Sequence, residues 1–133
     1  MKELYQNSIL VALGGALGAL FRHLINLWTF APAIPAGTVL ENISGALLLG
    51  MTVGYLAKRK EAPSWLRVGV GTGFCGGYTT TSTFAADTFL VTIHQAPLWA
   101  GVYVATSLIF GLLFAVVGIS VGERLANSRP EAS

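Results

Sequence analysis

Charged residues in this chain stand in clusters, and the intervals between the clusters are long and apolar. About 20 mostly apolar residues cross the hydrocarbon core of a bilayer. Four intervals of that kind are present, roughly 8–27, 38–56, 65–93 and 98–121. Pro32, Pro35 and Gly37 break the chain after the first. The second stops at Lys58, Arg59, Lys60 and Glu61, and Pro63 opens the third. A short HQAP turn leads to the fourth, and a polar tail, roughly 122–133, is expected to fray beyond Ala126. Trp28, Trp65 and Trp99 sit near span ends, where indole rings prefer the headgroup region. The expectation is an all-α membrane protein with four transmembrane helices in a single transmembrane domain.

Composition agrees. Of the 133 residues, 53% are hydrophobic and 11% charged, against about 25% charged in soluble domains. A soluble chain this short could not bury so much apolar surface in one core. The net charge of +2 is small and scattered, which does not suggest a nucleic-acid partner. The single cysteine, Cys75, excludes an intrachain disulfide and lacks partners for a thiolate metal site. Glu3 beside Lys2, with no small-residue cleavage pattern, does not read as a secretory signal. No phosphate loop or nucleophile–base arrangement stands out, and His23 and His94 near span ends read as interfacial residues, so no enzyme is expected.

Basic residues give a direction. Four spans put both termini and the second loop on one side, with Lys2, Lys58, Arg59, Lys60, Arg67, Arg124 and Arg129; the other side holds only Arg22. Seven against one predicts both termini in the cytoplasm, in a plasma (inner) membrane. Gly14 and Gly18, Gly50 and Gly54, and Gly118 and Gly122 are each spaced i, i+4, which lets helix backbones approach closely. Four short helices enclose little volume, so a polar path sealed from lipid calls for a dimer.

The third span departs from an ordinary transmembrane helix. Gly69, Gly71, Gly73, Gly76 and Gly77 are followed by an unbroken hydroxyl run, Thr79, Thr80, Thr81, Ser82 and Thr83. Glycine favours opening a helix, and threonine is only a modest helix former. In hydrocarbon an opened backbone is tolerated only inside protein or along a wet cavity. A break is therefore expected near residues 76–80, freeing carbonyls that can hold a cation and N–H groups that can hold an anion. Other spans add polar groups: Asn42, whose NH₂ offers two donors to an anion, Arg22, and the i, i+4 hydroxyl pair Tyr103 and Ser107 with Thr106.

At GGYTTTSTF the chain resembles the Fluc (CrcB) family of fluoride channels. GGALGALFRH in the first span resembles that family's glycine-rich stretch ending in arginine, GTVLENISGALLLG its Gly-Thr … Asn … Gly motif, and GTGFCGGYTTTSTF its broken-helix signature. The resemblance implies an antiparallel, dual-topology-type dimer with two fluoride pores that passively export fluoride and relieve its toxicity. It implies that Asn42 is a pore amide, that Ser82, Thr83 and Phe84 line the pore, and that Tyr103 and Ser107 form a polar track. It also implies a structural sodium ion at the dimer centre, held by the carbonyls of Gly76 and Thr79, and gives Arg22 as the family's first-helix arginine.

Three main features, and one milder change at Asp87, depart from the family pattern. Thr81 stands where a first phenylalanine is usual, and Glu41 precedes the asparagine where a small or apolar residue is usual. An ionised Glu41 would repel fluoride unless it faces away, pairs with Arg22 or carries a proton. Asp87 replacing glutamate is milder. The charge bias is the third, because a dual-topology homodimer needs a weak one. The chain thus reads as a fluoride channel subunit in a homodimer, or in a heterodimer with an oppositely oriented paralogue. The alternative is a small multidrug-type proton-coupled transporter using Glu41, although such transporters carry their carboxylate in the first helix.

Overall fold

The computed structural model describes residues 1–29, 35–59 and 61–128. Pro32, Lys60, Arg129 and the end of the polar tail lie outside the described residues. Every regular element among the described residues is a helix. In chain order they are α1 (Lys2–Trp28), α2 (Ala36–Lys58), a π-helical segment (Trp65–Cys75), the single turn α3 (Gly76–Tyr78), α4 (Thr81–His94) and α5 (Pro97–Asn127). In lipid a helix satisfies its own backbone, which favours long uninterrupted elements. Helices α1, α2 and α5 are each long and apolar enough to cross a membrane. The only proline in these three, Pro97, opens α5, where its missing N–H costs nothing.

Burial is inverted relative to a water-soluble protein. The most enclosed side chains are Glu41 and Cys75, whereas Leu112 is 69% exposed and Leu108 63% exposed. Large apolar side chains therefore cover the outside, and glycines and polar groups fill the inside. Lipid removes the hydrophobic drive between helices, so close backbone packing and hydrogen bonds hold them.

The glycine pairs show how. A Cβ added at Gly14 would meet the Gly69 carbonyl, and one at Gly18 the Phe74 carbonyl, both on the broken third region. Gly77 answers from that region against Gly15. Gly50 and Gly54 press in the same way on Ala115 and Ile119 of α5, and Gly118 and Gly122 on Leu47 and Met51 of α2. The helices thus form two tight pairs, α1 with residues 65–78 and α2 with α5. Where α5 ends, Arg59 donates from Nε and Nη2 to the Ala126 carbonyl at 3.1 and 2.8 Å.

Element ends differ from the expected spans in three places. Helix α1 begins at Lys2, not near Ser8, with Glu3 in its first turn where a carboxylate favours the helix N-terminus. Helix α5 runs past residue 121 to Asn127, because Gly122 still packs on α2 and Arg59 caps its last carbonyls. Gly37, expected as a breaker, lies inside α2. Its lack of a side chain admits Asn26 of α1 and Thr29, which follows that helix, instead.

Candidate functional site

The chain leaves the helix at Thr79 and Thr80, both in extended conformation, with ψ of 156° and 126°. This lies within the stretch where the glycines and threonines predict a break. Two side chains take over the bonds that a continuous helix would make. Asn42 Oδ1 accepts the Thr80 N–H at 2.8 Å, and Asn42 Nδ2 donates to the Thr80 carbonyl at 3.0 Å. Thr80 Oγ1 caps α4 by accepting the Thr83 N–H at 3.2 Å. In an unbroken helix those two N–H groups would serve the carbonyls of Gly76 and Thr79. Both carbonyls are thereby released, which suits the oxygen coordination a hard cation requires.

The amide of Asn42 is therefore engaged with the backbone, with one N–H left over. Around it, Thr80 Oγ1 donates to Thr83 Oγ1 at 3.0 Å and lies 3.3 Å from Ser82 Oγ. Thr81 and Ser82 are exposed, and Thr83 and Phe84 half-buried. The Phe84 ring sits 5.2 Å from that of Tyr103 on α5, centroid to centroid. One turn further along α5, Ser107 is buried and its Oγ has no hydrogen-bond partner. Phe84 and Tyr103 thus meet just past the break, with Ser107 one turn further along α5.

Sequence reasoning named Asp87 only as a replacement for glutamate and missed that, with Thr38, it holds Tyr103. Asp87 Oδ2 accepts from Thr38 Oγ1 at 2.6 Å and from the Tyr103 hydroxyl at 3.3 Å. Thr38 lies one turn before Asn42 on α2, so its i, i+4 spacing to that amide was the available signal. Ser44 and Tyr78 form a further tie at 2.8 Å. A cleft of about 560 Å³ opens beside this cluster, lined by Val39, Ile43, Trp99, Val102, Tyr103 and Thr106, among others.

Glu41 turns away from the break toward α1. It is fully buried, its Oε1 accepts from Asn26 Nδ2 at 2.7 Å, and its Oε2 has no partner. Arg22 makes no hydrogen bond or ion pair with it, so of the three options for Glu41 the geometry favours facing away or carrying a proton over pairing with Arg22. Among the described residues the ion pair seen is Lys58 with Glu123, at 4.0 Å on the surface.

Known proteins share this arrangement of sequence. A relative from Bacillus subtilis (strain 168), described as fluoride-specific ion channel FluC 2, is 47% identical over 117 residues, 88% of each chain. One from Halalkalibacterium halodurans with the same description is 40% identical over 131 residues, 97% of this chain and 95% of that one. A Bordetella petrii protein described as fluoride-specific ion channel FluC is 40% identical over 119 residues, 90% of this chain and 93% of that one. Residues 9–119 match the family described as CrcB-like protein, Camphor Resistance (CrcB). With three membrane-length helices and kinship along nearly its whole length, the chain is a multi-pass membrane protein and belongs to the CrcB-like family.

Proposed function

We propose that this chain is a subunit of a fluoride-selective channel, which passively exports fluoride across the plasma membrane and so lowers its toxicity. The observation that carries the reading is the break at Thr79 and Thr80, clamped by Asn42 and followed by the Phe84–Tyr103 ring contact. Three relatives named as fluoride-specific channels support it. The function is transport and not catalysis.

The chemistry follows from the anion. Fluoride is small and tightly hydrated, so lost water must be replaced by close donors. The spare N–H of Asn42, the hydroxyls of Ser82, Thr83 and Ser107, and the positive edge of Phe84 offer them, while the Tyr103 O–H is held by Asp87. Ser107 Oγ, buried and without a protein partner, is free to donate to a passing ion. A narrow line of this kind rejects the larger chloride by size. A negative interior drives the anion outward, at about 2.3 kcal/mol per charge per 100 mV.

The third region, 65–94, forms the fourth crossing by joining two half-helices across the break. A second subunit, inserted the other way, completes the pores as an antiparallel dimer. The seven-to-one charge bias supports a fixed orientation with cytoplasmic termini, and hence an oppositely oriented paralogue as partner. The number in the name FluC 2 is consistent with paralogue pairs. The released carbonyls of Gly76 and Thr79 fit a structural sodium ion at the dimer centre, which when bound supplies a fixed positive charge there.

Fluoride efflux from proteoliposomes, with chloride as control, tests the reading. Fluoride-selective efflux is expected when the chain is co-reconstituted with its paralogue. Efflux from the chain alone would establish a homodimer. Absence of efflux from both folded preparations would overturn the channel reading.

A further inference from the structure

Glu41 is the most enclosed charged residue among those described, with no exposed surface. A carboxylate spreads one negative charge over two oxygens, and each needs donors when water is excluded. Oε1 has one, the Nδ2 of Asn26 at 2.7 Å. Oε2 has none. The Asn26 amide cannot serve both, because Nδ2 also donates to the Arg22 carbonyl at 3.1 Å.

The surroundings do not neutralise the charge. Arg22 on α1 and Asp87 on α4 are the charged groups whose fields reach Glu41, with opposite signs. Tyr103 on α5 is the nearby titratable hydroxyl and is itself committed to Asp87. The guanidinium of Arg22 lies one turn before Asn26 on α1 and makes no direct bond to the carboxylate. A buried charge without a partner is among the least tolerable features of a protein interior. A neutral carboxyl removes it and leaves an O–H in place of half a charge.

We propose that Glu41 is a proton-binding site, with the proton on Oε2 and Oε1 acting as the carbonyl acceptor of Asn26. On release, the proton passes to water at the loop end of α1, where Asn26 is exposed. The carboxylate left behind turns toward Arg22, the cation whose field reaches it. Position gives the proton a function, in an extension that rests on the channel reading above. Thr38 and Asn42, on the same two turns of α2, hold Asp87 and the break. A negative charge at Glu41 would act on both and repel fluoride nearby. Bound proton therefore corresponds to the conducting form, and flux falls as pH rises.

Infrared difference spectroscopy on the reconstituted protein reads the site without needing conduction. A protonated-carboxyl stretch that fades as pH is raised, and is missing in Glu41→Gln, is expected. No such band in the wild type at any pH would mean an ionised Glu41 and would overturn the proposal. If Glu41→Gln fails to fold, Asn26→Ala keeps the carboxyl and should move its band to higher frequency; an unmoved band overturns the assignment. Fluoride efflux measured across the same pH series should fall in the wild type and stay level in Glu41→Gln. A level wild-type profile over a titrating band would overturn the link to conduction. Loss of efflux at every pH would count against the channel reading alone, since the band still decides the proton site.

Discussion

Asn42 grips Thr80 with both ends of its amide, accepting from the Thr80 N–H and donating to the Thr80 carbonyl, at 2.8 and 3.0 Å. A single side chain on α2 thus substitutes for the helix bonds that the third region gives up. Buried backbone groups that lose such partners are costly in an apolar surround.

Asn42→Ala should therefore weaken both fold and flux. Two backbone groups lose their partner, at about 1–3 kcal/mol each. Thermal denaturation in detergent should show the loss of stability, and fluoride efflux should fall. Unchanged efflux from folded protein would remove Asn42 from the conduction path.

Thr81→Phe should raise fluoride flux. Thr81 is exposed at the first position of α4, which leaves room for a larger side chain. It would stand one turn before Phe84 on α4, adding a second positive ring edge near the Phe84–Tyr103 pair. Efflux from proteoliposomes checks this, and a fall would mean that the path is shaped around threonine.

Gly18→Ala should destabilise the chain by about 1–3 kcal/mol, because the new methyl group must push α1 off the Phe74 carbonyl. Gly111→Ala has open space around it and should be neutral, or stabilising by up to about 1 kcal/mol. Equal melting shifts for the two variants would contradict the packing described above.

Arg59→Ala should cost about 1.5–3 kcal/mol, since it removes a charged donor from the last carbonyls of α5. Lys58→Ala, which breaks an exposed 4.0 Å contact with Glu123, should cost about 0–1 kcal/mol. Melting temperatures of the two variants in the same detergent separate them.

The features legible in the sequence were those that depend on local chemistry. Five glycines and five hydroxyls in one span located the break, because helix propensity and N-capping act over a few residues. The i, i+4 glycines announced close contacts but not which helix each would meet. The ties from Thr38 to Asp87 and from Asn26 to Glu41 join residues 49 and 15 positions apart. Nothing local specifies such pairings, and they arise only once the helices have packed. Gly37 misled for the same reason: its smallness serves a neighbour's approach and not a turn. The π-helical winding of 65–75 likewise has no sequence signature, and it brings Gly69 and Gly73 against α1.

The two glycine-locked pairs are interleaved along the chain: the first long helix closes on the third region, and the second on the last. No helix is locked to the one made just before it. During synthesis α1 must wait in the membrane with its glycine face uncovered until residues 65–78 arrive. Helix α2 waits longer, until Gly118 and Gly122 emerge near the end. Assembly is therefore a late event, and a product cut short before residue 115 leaves α2 without any of these glycine contacts to α5.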